Sequence, residues 1–197
     1  KKAILPNIET QPSDPLTPYS AAKVFGENLA RVYNNLYGLK TISLRYFNVY
    51  GDRQPLKGQY APVIGLFLKQ YHESKPLTVV GDGSQRRDFT HILDVVEANI
   101  LASEVKDGFG EVYNIGGGRE LTNLEITSLI VDAMGASESS IEYVEDRKGH
   151  DLRYSVDWTK IKRELDYEPQ VNFEVGLKAT IQWYRENEAW WKPLKNR

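Results

Sequence analysis

Apolar residues recur three and four apart at Ala22, Phe25, Leu29, Val32 and Leu36, which predicts a helix over about Tyr19 to Tyr37 with Gly38 as its stop. The run Thr41-Ile-Ser-Leu-Arg-Tyr-Phe47 is too short and too β-rich for a helix and predicts a buried strand. Pro62 suits the first turn of a helix reaching about Glu73, and Leu77 to Val80 forms a strand ended by Gly81-Asp-Gly83. Asp88 to His91 predicts another strand, Asp94 a cap for a helix to about Glu104, and Glu111 to Ile115 a further strand. Thr122-Asn-Leu-Glu125 is a capping box opening a helix to about Met134. A strand at Ile141 to Val144, a short helix from Asp157 and a long helix from about Asn172 to Trp190 complete the pattern. Strand and helix alternate, so the expected fold class is α/β with a mainly parallel sheet covered by helices on both faces.

Composition narrows the classes. The chain has 197 residues, 41% hydrophobic and 26% charged, as in an ordinary globular protein rather than a disordered or fibrous one. No apolar run approaches the roughly 18 residues that cross a bilayer, so no membrane is expected and the location is read as cytoplasmic. There is no cysteine, hence no disulfide, thiolate nucleophile or cysteine zinc site. His72, His91 and His150 lie far apart, so no metal site is expected. A net charge of −2 argues against nucleic acid as the main partner.

Tyr19 and Lys23 stand four apart at a helix start and rise from one face. An ammonium close to a phenol favours the phenolate, which could take a proton from an alcohol. Tyr71 and Lys75 share the spacing, and spacing alone does not separate either pair from two surface residues. Ser20 and Lys23 form a Ser-x-x-Lys, but the Ser-Asp-Asn and Lys-Thr-Gly of penicillin-recognising acyl transferases do not follow, and that reading is set aside. Gly116-Gly-Gly118 before a helix fits neither a P-loop nor a dinucleotide fingerprint.

The stretches Pro18-Tyr-Ser-Ala-Ala-Lys23, Leu44-Arg-Tyr-Phe-Asn-Val-Tyr-Gly51, Gly81-Asp-Gly-Ser-Gln-Arg-Arg-Asp-Phe89, Val112-Tyr-Asn-Ile-Gly116 and Arg147-Lys-Gly-His-Asp151 occur in this order. Together they resemble the extended short-chain dehydrogenase/reductase family, and within it the NAD-dependent nucleotide-sugar epimerases and dehydratases. The resemblance implies a Rossmann-type doubly wound sheet with a smaller α/β substrate-binding domain. Residues 1–55 and 87–118 would belong to the former, and 56–86 and 119–197 to the latter. It implies Tyr19 as general base on the sugar and Lys23 on the nicotinamide ribose, with Tyr46 and Phe47 bordering NAD. Asn48 and Asn114 would lie by the substrate phosphates, Arg87 and Arg147 would clamp them, and His150 would meet a phosphate. The loop Gly58-Gln59-Tyr60-Ala-Pro-Val63 resembles that of the epimerases, and its backbone would face the uracil; the substrate implied is a UDP-sugar or a dTDP-sugar.

Family members begin with a strand, a Gly-x-x-Gly-x-x-Gly turn and a helix that hold the NAD pyrophosphate, and they carry a Ser or Thr some two dozen residues before the tyrosine. Neither occurs here, so the chain is expected to be an N-terminally truncated, inactive part of a larger enzyme that dimerises when complete. Such a cut is expected to expose apolar faces and an unpaired strand edge. Arg45-Tyr-Phe-Asn48 resembles 4-epimerases more than 4,6-dehydratases, whereas Gly149-His-Asp-Leu-Arg-Tyr154 resembles the dehydratases. The favoured expectation is C4 epimerisation of UDP-glucose and UDP-galactose, Tyr154 standing where members that accept N-acetylated sugars often place a smaller residue. The alternatives are a dTDP-glucose 4,6-dehydratase-like enzyme and a catalytically silent sugar-nucleotide-binding module.

Overall fold

The computed structural model describes residues 5–56, 62–135, 141–146 and 152–193. The first helix, α1 (Pro18–Tyr37), opens on a capping box in which the Thr17 hydroxyl accepts from the Ser20 N–H and the Ser20 hydroxyl from the Thr17 N–H. Gly38 ends it in the left-handed conformation. Then follow β1 (Ser43–Tyr46), β2 (Val49–Tyr50), α2 (Val63–His72), β3 (Leu77–Val80), β4 (Arg86–Asp88), β5 (Thr90–His91) and α3 (Ile92–Glu104). The second half runs β6 (Val112–Ile115), β7 (Glu120–Thr122), α4 (Asn123–Met134), β8 (Ile141–Val144), β9 (Arg153–Tyr154), α5 (Thr159–Leu165), α6 (Phe173–Glu186) and α7 (Glu188–Trp191).

Pairing is mainly parallel, as expected. β1 runs beside β6, β2 beside β5 and β3 beside β8, all parallel, while β4 lies between antiparallel β7 and parallel β9. Two apolar clusters form. One joins Ile64, Phe67 and Leu68 of α2, Ile126 and Ile130 of α4 and Leu177, Ile181 and Tyr184 of α6, with Trp191. The other joins Ala98, Tyr113, Ile115, Ile161 and Tyr167. Ile161 and Tyr167 come from the stretch expected in the substrate domain, yet they pack against β6 and α3 because α5 lies across that sheet.

Several expectations are corrected. The stretch Asp88 to His91 is split between two sheets, β4 pairing with β7 and β9, and β5 with β2, while the Phe89 side chain between them is buried in the larger cluster. Asp94 does not cap α3. His91 is its N-cap, its Nδ1 accepting from the Leu93 N–H at 3.3 Å, and the buried Asp94 carboxylate accepts from the Gln170 and Val171 N–H groups. Pro62 precedes α2 as its N-cap rather than lying within its first turn. The last helix is interrupted at Asn187, whose side-chain amide donates to the Trp183 carbonyl one turn back. β2, β7 and β9 are too short to show a period in sequence.

Gly117 explains the glycine run before β7. A Cβ there would sit 1.9 Å from the Phe89 carbonyl oxygen, so the two backbones cross closer than any side chain permits.

Candidate active site

The capping box at the head of α1 sets the direction of the helix and so of the Tyr19 and Lys23 side chains. Tyr19 is half exposed, and the Lys23 Nζ lies 5.3 Å from its ring centroid. The structure thus brings together the tyrosine and lysine paired by spacing. The competing pair is not assembled: the Tyr71 hydroxyl donates to the Met134 carbonyl, and Lys75 pairs with Glu73. Ser20 spends its hydroxyl on the helix cap, which removes the remaining reason to read it as a nucleophile.

At the end of β1, Tyr46 is exposed and donates from its hydroxyl to the Asn99 Oδ1 at 3.0 Å, and Phe47 is half-buried. Arg45 is structural, gripping both oxygens of Glu27 at 2.6 and 2.8 Å and thereby joining β1 to α1. Asn48 turns the chain with a φ of 36° and donates its amide to the Asp88 carbonyl at 2.8 Å. The strand end is therefore anchored to β4, the strand that carries Arg87.

Arg87 and Tyr154 meet. They are register partners in β4 and β9, and the guanidinium carbon stands 5.0 Å from the Tyr154 ring centroid. Gln59, Tyr60, Arg147 and His150 lie outside the described residues. Asn114 is buried, and its amide donates to the Asn7 and Asp157 carbonyls at 3.1 Å. Its side chain faces the protein interior instead of a surface open to phosphate, because β6 places it beneath the 5–9 segment, whose Glu9 also accepts its backbone N–H.

Two groups next to this constellation were not singled out from sequence. Asp88 is buried beside the glycine turn, where its Oδ1 accepts from the Gly117 N–H at 3.2 Å. Burial pushes its carboxyl up to about 6; the Gly117 bond opposes this and the negative charge of Glu120 adds to it. His91 is also buried, and burial lowers its pKa while Asp94 and Asp52 oppose that shift. Glu120 binds Arg153 through both oxygens, at 2.6 and 2.8 Å, and Arg86 at 3.2 Å, and the Arg153 bond is the chief reason its carboxyl is held below the usual range. No group of three or more metal-binding side chains occurs among the described residues.

Parallel strands under crossing helices, a Tyr-x-x-x-Lys pair at a helix start and an arginine on the neighbouring sheet define a Rossmann-type protein of the extended short-chain dehydrogenase/reductase class. Within that class, residues 2–180 match the model of the family described as GDP-mannose 4,6 dehydratase, and the chain belongs to that family. It is 41% identical over 192 residues to a dTDP-glucose 4,6-dehydratase of Streptomyces niveus, covering 95% of this chain and 54% of that protein. Among solved structures, the dTDP-glucose 4,6-dehydratase DesIV of Streptomyces venezuelae, solved with NAD bound, superposes with a TM-score of 0.87 at 44% identity, covering 94% of this chain and 56% of that one. A UDP-glucose 4-epimerase of Thermotoga maritima superposes with a TM-score of 0.88 at 36% identity, covering 95% and 60%. The chain spans about half the length of the curated relatives it matches. Backbone similarity does not separate the two reactions, but sequence identity supports the dehydratase alternative better than the expected epimerase.

Proposed function

We propose that the chain supplies the general base and the sugar-nucleotide clamp of an NAD-dependent 4,6-dehydratase acting on a nucleotide-activated glucose of the dTDP-glucose type. The observation that carries this reading is the 41 to 44% identity to dehydratases across nearly the whole chain. Tyr19 takes the C4 hydroxyl proton, and Lys23 stands beside it with its Nζ 5.3 Å from the ring centroid. Arg87 grips the diphosphate through its planar fork of donors, with the Tyr154 ring packed against its guanidinium. Arg147, His150, Gln59 and Tyr60 complete the substrate side, and Asn48 steadies the strand end beside it.

The residues present fit part of NAD. The exposed Tyr19 hydroxyl and Lys23 ammonium suit a ribose hydroxyl, and exposed Tyr46 with Phe47 suits a flat ring. No Gly-x-x-Gly-x-x-Gly stretch in the chain serves the pyrophosphate. When bound, NAD supplies the oxidation of the sugar at C4. The proposal retains the division into a nucleotide-fold remnant and a substrate-binding unit, and extends to a homodimer of the whole protein formed through α1.

The test uses the chain extended upstream of Lys1 to the length of its relatives. With dTDP-glucose and NAD it should form a 4-keto-6-deoxy sugar nucleotide, read by absorbance in alkali, and Tyr19→Phe should cut turnover by about a hundredfold or more. UDP-galactose from UDP-glucose, with no 6-deoxy product, would select the epimerase reading, which Arg45-Tyr-Phe-Asn48 favours. Tight binding without turnover would select a silent binding module.

A further inference from the structure

The Arg87 and Tyr154 pair depends on a very short contact between strands. Among the described residues β4 and β9 share two register pairs, Arg86 with Arg153 and Arg87 with Tyr154, flanked by one backbone bond from the Arg86 N–H to the Leu152 carbonyl at 2.8 Å. So small a ladder is marginal by itself. What reinforces it comes from the far side of the sheet. Glu120 lies on β7, across β4 from β9, and neighbouring strands are about 4.8 Å apart, so the outer two are separated by about 10 Å. Two long side chains span that gap: the Glu120 carboxylate takes Arg153 in a two-pronged grip at 2.6 and 2.8 Å and holds Arg86 of the middle strand at 3.2 Å on the way. A doubly bonded guanidinium and carboxylate fix orientation as well as distance.

Alternation along the strands sets Arg86 and Arg153 on one face and Arg87 and Tyr154 on the other. The ion cluster therefore lies on the face opposite the one that Arg87 and Tyr154 present. It acts on them only through strand register, and a one-residue slip of β9 would turn Tyr154 away from Arg87. The Glu120 side chain is the less exposed member, at 18% against 42% for Arg86 and 48% for Arg153, which lessens the screening that weakens ion pairs at a surface.

We infer that Glu120 is a positioning residue for diphosphate recognition, holding β9 against β4 so that Tyr154 stands beside Arg87. The inference rests on the proposed role of Arg87, with Tyr154 packed against it, as the diphosphate grip. Its probes are dTDP and dTMP, which differ by the outer phosphate, titrated calorimetrically into the same upstream-extended chain that the functional test uses, in unsubstituted and substituted forms, together with hydrogen exchange at the Arg86 N–H. Glu120→Gln should raise the dTDP Kd about tenfold, change the dTMP Kd less than twofold and speed Arg86 exchange about tenfold or more. A loss of structure in general would weaken both nucleotides alike. Exchanging the charges, Glu120→Arg with Arg153→Glu, should recover most of the dTDP affinity, and it carries the test if Glu120→Gln fails to fold. Unchanged selectivity for dTDP over dTMP in Glu120→Gln, with Arg87→Ala still weakening dTDP, overturns the positioning role and leaves the functional reading standing. No dTDP binding by the unsubstituted chain, or none lost in Arg87→Ala, overturns the functional reading and this inference with it.

Discussion

Asp88 links three segments through one residue: its carbonyl accepts from Asn48, its carboxyl from Gly117, and its strand carries Arg87. In the folded chain its carboxyl is pushed up to about 6, whereas a free aspartate titrates near 4. The folded state therefore binds more protons between these two values, and the contribution of Asp88 to stability falls as pH rises through that window. A displacement of this size corresponds to about 2 to 3 kcal/mol. Asp88→Asn keeps an acceptor for the Gly117 N–H and removes the charge. Urea unfolding should find the variant more stable than the parent by about 2 kcal/mol at pH 7, with the advantage gone near pH 4. Parallel pH profiles for the two proteins would sink this account. None of it was legible from sequence, because an aspartate in a strand pattern shows neither its burial nor its partners.

At the scale of elements, local signals served well where they are local. The capping box at Thr122 and Glu125, the glycine stop at Gly38 and the apolar spacing of α1 act within a few residues of chain. Asp94 shows the opposite case. It stands in the first turn of α3, where an acid reads as a cap, yet its carboxylate reaches the backbone of residues 170 and 171 and ties the entry of α6 to α3. Asp94→Ala should leave those two N–H groups unsatisfied and cost about 2 to 3 kcal/mol, measured by chemical unfolding, whereas Asp94→Asn should lose less than half of that. A cap role would instead make the cost about 1 kcal/mol and local to α3 in hydrogen exchange.

For the whole molecule, the expected apolar exposure is present. None of the α1 side chains is buried; Leu16, Phe25, Leu36 and Tyr37 are each at least 66% exposed, and β1 pairs only with β6 among the described residues. The matched relatives are nearly twice as long, which fits a surface that further chain would cover. The 197-residue chain should bind a hydrophobic dye such as ANS strongly, and Phe25→Lys with Leu36→Lys should lower that signal about twofold or more without changing far-UV circular dichroism. Weak dye binding by the unsubstituted chain would mean that this face is covered in solution. No helix among the described residues is long and apolar enough to cross a membrane.

The order of residues is enough to establish the α/β alternation and most element positions, because periodicity, caps and four-residue spacing act over one or two turns, while the family and the choice of Tyr19 with Lys23 over Tyr71 with Lys75 come from the order of its motifs. Tertiary contact alone puts Arg87 against Tyr154, withdraws Asn114 to the interior, divides the stretch Asp88 to His91 between two sheets and gathers Arg86, Glu120 and Arg153. Each of these joins residues more than thirty positions apart or depends on which neighbour a short strand selects, and that selection is made by packing and register across the folded chain.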